Sequence, residues 1–246
     1  SLQTGTNPAV QFNGNTTYSG TSTGNTLATG YTVNPGSTLT LQGVDLLVPA
    51  TMTATVRGTM STDSAMTVNG TLAVSTGTLN CSANPVGGTG IVAVNEDATL
   101  GVKADGGINA QVTATGPNTY STAANYVFNG AAAQVTGSAL PATVRGLKVD
   151  NAAGVTLSGP VSVTGVLDLA AGELATGANA LLAADGAPAV VRTAGFVNGT
   201  LQRTVDATVT GARAFPVVTA GAYAPLSINI TSAGTGSGPV SVASVA

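Results

Sequence analysis

The chain has 246 residues, of which 43% are apolar and only 7% charged, and its net charge is −3. That is enough apolar material for a continuous core, and the low charge is not a sign of disorder, which needs low hydrophobicity and usually a high net charge. The seven basic residues are scattered, so no basic stripe is available to neutralise phosphates and nucleic acid is not expected as a partner.

The residue inventory narrows the chemistry further. There is one cysteine, Cys81, and there is no histidine and no tryptophan. A disulfide framework and a zinc site within one chain are excluded, and no Ser–His triad can be assembled. No glycine-rich phosphate loop is present, because the glycines precede neither a helix pattern nor a Lys-Ser/Thr pair. The expectation is a protein without cofactor and without enzymatic activity. With so little charge, the polar surface must come from Thr, Ser, Asn and Gly, and Thr favours strands through its β-branch. A near-neutral surface also offers little repulsion between copies, so self-association is permitted. No run approaches about 18 uninterrupted apolar residues, so no membrane-spanning helix is expected. The start at Ser1, with neither a basic nor an apolar leader segment, reads as a mature or trimmed product.

In chain order, residues 1 to 12 read as an extended, uncharged arm ending in Val10 and Phe12. Apolar residues then alternate in short bursts, such as Leu39 with Leu41, Val92 with Val94, Leu100 with Val102, Val155 with Leu157, and Ile228 with Ile230. Gly, Asn, Asp and Pro separate the bursts, as in short strands joined by tight turns. Thr51, Thr53 and Thr55 form one Thr-x-Thr run. Such ladders on a flat face can bind ice, but this run does not recur at turn spacing, and solvated outward threonines are the simpler reading.

The segment MTVNGTLAVSTGTL at residues 66–79 recurs as VSVTGVLDLAAGEL at 161–174. Val68 matches Val163, Gly70 matches Gly165, Leu72 matches Leu167, Gly77 matches Gly172 and Leu79 matches Leu174. The triplet Phe12-Asn13-Gly14 recurs as Phe128-Asn129-Gly130. The first pair is offset by 95 residues and the second by 116, a difference of about one turn of a stacked coil. Cys81 follows the first copy and reads as a structural thiol, with a thiol joining two subunits as the alternative. Glu96, Asp97 and Asp105 form the one acidic cluster. They are weak candidates for calcium ligands, or for the acid and base of a polysaccharide-cleaving enzyme, against the simpler reading of two polar turns. The composition shifts after Gly186, and from Val190 the bursts lengthen. PVSVASVA at 239–246 reads as a terminal strand after a glycine-rich linker.

The run from Tyr126 to Leu174 resembles the β-strand repeat region of large secreted surface proteins of Bacteroidota and related bacteria. FNG, QVTG, LPATV and VTLSGPVSVTGVL carry the likeness, together with the later FPVV and YAPLSINI. The resemblance implies an exported surface or matrix protein built as a right-handed β-helix.

These signals predict an all-β protein. A parallel right-handed β-solenoid of about eight turns with a short N-terminal arm is expected over 1–186. A small β-sandwich-like module or cap is expected over 187–246. The expected function is structural: a self-assembling extracellular or cell-surface subunit of a fibre, layer or matrix. Its partner is itself, as a homo-oligomer or filament, through strand addition at Val10, Phe12, Val240, Val242 and Val245. The alternative is an adhesin or carbohydrate-binding stalk. It would meet surface glycans through one of the five tyrosines, Tyr18, Tyr31, Tyr120, Tyr126 and Tyr223.

Overall fold

A computed structural model describes residues 10–20, 26–185, 189–206, 208–219 and 222–244. Among these the fold is all-β, with one helical turn, Ile108–Gln111. The chain divides into two compact units, Ser1–Asn125 and Tyr126–Ala246. Both are parallel β-solenoid. The stacked strands of the two units make about nine turns, one more than the spacing of the bursts suggests.

In the first unit each of the first four turns contributes one strand to each of three sheets. One sheet runs Val10–Phe12, Tyr31–Val33, Thr53–Val56, Thr71–Val74, Ile91–Val94, Thr119–Tyr120. The second stacks Asn15–Ser19, Thr38–Gln42, Thr59–Thr62, Thr78–Asn80 and Thr99–Val102. The third stacks Thr26–Ala28, Asp45–Val48, Met66–Val68 and Val86–Gly87. Alternation along a strand sends successive side chains to opposite faces, and in-register parallel pairing then stacks like on like. Leu39, Met60, Leu79 and Leu100 form one inward file, every member fully buried. Val33, Val56, Val74 and Val94 form another.

The corners explain the glycines of the repeat. Gly90 N donates to Val68 O at 2.8 Å, and Gly116 N donates to Gly90 O at 3.0 Å, so these corners press directly on the turn before. A Cβ on Gly90 would overlap the Gly70 carbonyl oxygen, and one on Gly116 would overlap that of Gly90. Both copies of the repeat use glycine in this way: in the first, a Cβ on Gly70 would overlap the Met52 carbonyl oxygen and one on Gly77 that of Gly58. A Cβ on Gly165 would sit 2.7 Å from the Arg145 carbonyl oxygen, and Gly172 has φ 77° besides lying against Asn151 O. Their matched apolar residues, Val68 with Val163, Leu72 with Leu167 and Leu79 with Leu174, are all buried.

One turn of the first unit is longer than its neighbours. Met66 pairs with Val86, 20 residues on, but Val86 bridges to Val112, 26 residues on. The extra chain holds the Ile108–Gln111 turn, and the buried Gln111 amide anchors it. Its Oε1 accepts from Lys103 N at 2.8 Å and Ala104 N at 3.1 Å, and its Nε2 donates to Ser82 O at 3.1 Å and Asn84 O at 2.9 Å. Both acceptor sites and both donors are used, so burying the amide leaves no polar atom unmet.

The second unit has the same construction. Gly146–Asp150, Leu167–Ala171 and Val190–Arg192 stack in parallel, as do Gln134–Val135, Val155–Thr156, Glu173–Ala175 and Phe196–Asn198. A five-stranded sheet runs Thr143–Val144, Val161–Val163, Leu181–Ala183, Thr200–Asp206 and finally Ser237–Ala243. Its first four strands are parallel and the last is antiparallel. Parallel stacking therefore continues through Thr200–Asp206, beyond the composition shift at Gly186. The longest of these strands to be paired on both sides is Thr200–Asp206, in parallel with Leu181–Ala183 and antiparallel with Ser237–Ala243. Two further antiparallel pairs follow in sequence: Gly211–Phe215 with Leu226–Ile230, and Val218–Thr219 with Ala222–Tyr223.

Candidate functional site

One inward file of the second unit leads into a charged cluster. Val144, Val163 and Ala183 form an inward apolar file, and the next position in register is Arg203, which is also buried. Burial pulls the Arg203 guanidinium below its usual range, and the Asp185 carboxylate opposes that shift. Arg203 Nη1 donates to Ala214 O at 3.0 Å, and the guanidinium carbon lies 5.9 Å from the Phe215 ring centroid, within cation–π range. Arg213 grips the same carboxylate in a fork, Nε to Oδ1 at 2.9 Å and Nη2 to Oδ2 at 3.0 Å. It also donates to Gly211 O at 2.8 Å and Val209 O at 2.9 Å. The bond to Asp185 raises the Arg213 pKa, so this guanidinium stays charged. Asp185 Oδ2 also accepts from Asp206 N at 2.7 Å. Bidentate geometry and satisfied donors allow such a pair to exist out of water. Its physical role is to pin the Gly211–Phe215 strand to the last turns of the solenoid.

That strand carries a partner whose apolar side is left open. Directly opposed residues of an antiparallel pair share a face. Leu226 opposes Phe215, Ile228 opposes Arg213 and Ile230 opposes Gly211. Phe215 and Arg213 are buried, yet Leu226 on the same face is 44% exposed and Ile228 and Ile230 are only half-buried. Val209 and Tyr223, in the same stretch of chain, are 49% and 43% exposed. Among the described residues Leu226–Ile230 pairs on one side only. From Ala214 to Ala246 the sequence contains no charged residue.

The residues singled out from sequence fall as follows. Val10 and Phe12 lie in a strand paired with Tyr31–Val33 of the same chain, and Phe12 meets the buried Tyr31 edge-on at 6.1 Å. Val240 and Val242 pair with Arg203 and Leu201 of the same chain and are half-buried. Val245 lies outside the described residues. Both arms thus complete sheets of their own chain and, among the described residues, form their outermost strands. Glu96 and Asp97 occupy the exposed turn before Thr99–Val102, with Asp97 at φ 63°, and Asp105 lies in an exposed turn after it. Among the described residues no three of His, Cys, Asp and Glu gather into a group able to hold a metal ion. Tyr31 and Tyr126 are buried, whereas Tyr18 and Tyr223 are exposed. The Arg192 guanidinium stacks on the Tyr223 ring at 3.8 Å. Cys81 is buried, and burial pushes its thiol pKa up to about 12. Such a thiol is unreactive and cannot reach a neighbouring subunit while the chain is folded. Among the described residues no helix is long and apolar enough to cross a membrane.

One array escapes a reading of the sequence. Thr38, Thr59, Thr78 and Thr99 stack in register as an outward hydroxyl file, beside a second file of Thr40, Ser61 and Asn80. The threonines recur after 21, 19 and 21 residues, so no fixed period reveals them. Chemically the files solvate a sheet face without charge. No protein-family model, curated protein or solved structure matches the chain.

Proposed function

We propose that the chain is a structural subunit that associates with copies of itself outside the cell, as part of a surface layer, fibre or matrix. In this reading the solenoid is right-handed, and residues 187–246 act as its β-sandwich-like C-terminal module. The observation that supports it is the state of the outermost strands. Val10–Phe12 and Asn15–Ser19 in the first unit, and Leu226–Ile230 and Ser237–Ala243 in the second, each have a strand on one side only among the described residues. Unpaired edges are templates for pairing with another chain, and soluble monomers usually guard them with charge. These four strands contain no Lys, Arg, Asp or Glu. Negative-stain microscopy of the purified protein tests the proposal. Ordered assemblies or discrete oligomers are expected, and strictly monomeric particles at high concentration would overturn it.

A second reading is favoured by one contact. The exposed Tyr223 ring is held in place by Arg192, which also donates to Gly195 O at 2.8 Å. A fixed, exposed aromatic face suits a sugar ring, as in an adhesin. Binding on a glycan array that disappears in Tyr223→Ala supports this reading, and an array with no signal removes it.

A further inference from the structure

We propose that two copies of the chain join through Leu226–Ile230, which pairs antiparallel with the same strand of a second copy about a twofold axis at Ile228. The inference deepens the self-association proposed above and rests on it.

Three observations select this edge and this occupant. First, among the described residues one side of the strand is unpaired, and LSINI contains no proline to interrupt a ladder there, Pro225 lying just before it. The other C-terminal edge, Ser237–Ala243, carries Pro239 within the strand, and a proline has no N–H to offer a ladder. Second, the apolar side chains of Leu226–Ile230 point to the side on which Phe215 and Arg213 are buried, yet their own chain leaves them open. A second strand beside them extends the sheet and sets apolar side chains of the second copy next to them on the same face. Third, the strand is complementary to itself. With Ile228 on the axis, Leu226 meets Ile230 of the second copy, apolar on apolar, and Ser227 meets Asn229, polar on polar. No charge opposes another, because the whole of 214–246 is uncharged. A charged partner strand would find no counter-ion along this edge, whereas an identical copy finds a match at every position. A twofold contact of this kind is closed, so it yields pairs that longer assemblies build on through other edges.

The test uses residues outside the apolar face. Ser227 and Asn229 are exposed and oppose the exposed Ala214 and Ala212, so charging them leaves the chain's own packing alone. In Ser227→Lys/Asn229→Lys, like charges face each other at two places across the proposed axis, which is destabilising in a sheet. The Glu double variant does the same with opposite sign. Light scattering coupled to gel filtration is expected to show dimers of the parent chain. Each double variant should associate at least about tenfold more weakly, and their mixture should recover dimers by pairing Lys with Glu. In a separate arm, Ile228→Cys should form an inter-chain disulfide on mild oxidation, with the buried Cys81 taking no part. If the parent chain associates but neither double variant weakens it and Ile228→Cys does not cross-link, this contact is wrong while self-association stands. A parent chain that stays monomeric overturns both.

Discussion

Replacing Leu79 by Ala tests the inward files directly. Leu79 is fully buried and sits in register between Met60 in the turn before and Leu100 in the turn after. Three carbons are lost, and at about 0.8 kcal/mol per buried methylene the transfer term is about 2.4 kcal/mol. The flanking strands are held by their own ladders and close the gap only in part, so a cavity term adds to this and the total is expected at about 3–5 kcal/mol. The neighbouring Thr78 points outward in the file with Thr59 and Thr99, and Thr78→Ala is expected to stay within about 0.5 kcal/mol. Urea unfolding reads both values from the midpoint at a common slope. Each turn contacts only its neighbours, so the Leu79 gap also weakens coupling between turns, and a broadened transition accompanies the loss. The inward–outward assignment is refuted if Leu79→Ala stays within about 0.5 kcal/mol of the parent, or if Thr78→Ala costs as much.

Further outcomes follow from the corners, the thiol and the ion pair. Gly90→Ala forces a Cβ into the Gly70 carbonyl and should lower the melting temperature, whereas Gly159, with open space around its Cβ position, should accept Ala with no loss. Equal melting temperatures for the two variants would count against the tight corner. The Cys81 thiol is neutral in the folded chain and ionises near pH 9 once unfolded, so stability holds below pH 9 and falls as pH rises towards about 12. Tyr120, also raised to about 12 by burial, contributes from about pH 10 upward. Urea midpoints at pH 8 and pH 10.5 should therefore differ, and Cys81→Ala should reduce the difference; a midpoint independent of pH contradicts the burial. Arg213→Lys keeps a charge but cannot reach both Asp185 oxygens and two carbonyls at once, so limited proteolysis should cut near Thr208–Gly211 faster than in the parent chain. Unchanged cleavage would mean that the pin is not what holds that segment.

Much of the solenoid was legible because its determinants are local. Period-two alternation sends Leu39 and Leu41 inward, and glycines such as Gly70, Gly77 and Gly90 mark corners where one turn presses on the last. The 66–79 and 161–174 copies show that logic twice, strand for strand. Three features were hidden because they depend on which turn lies beside which. The Thr38–Thr59–Thr78–Thr99 file is assembled by register across turns of unequal length. Gln111 reads as an ordinary polar residue, and only the tertiary fold gives its amide four backbone partners. The fork of Arg213 on Asp185 joins residues 28 apart that share no motif. The open strand Leu226–Ile230 looked in sequence like any other burst. Among the described residues it has a strand on one side only, which a sequence pattern does not encode.

This weakly charged stack of turns is proposed to associate with copies of itself. Sedimentation velocity over a wide range of protein concentration tests it most directly. A sedimentation coefficient that rises with concentration, towards dimers and larger species, is the predicted result. A single species with the mass of one 23.6 kDa chain at every concentration would contradict it.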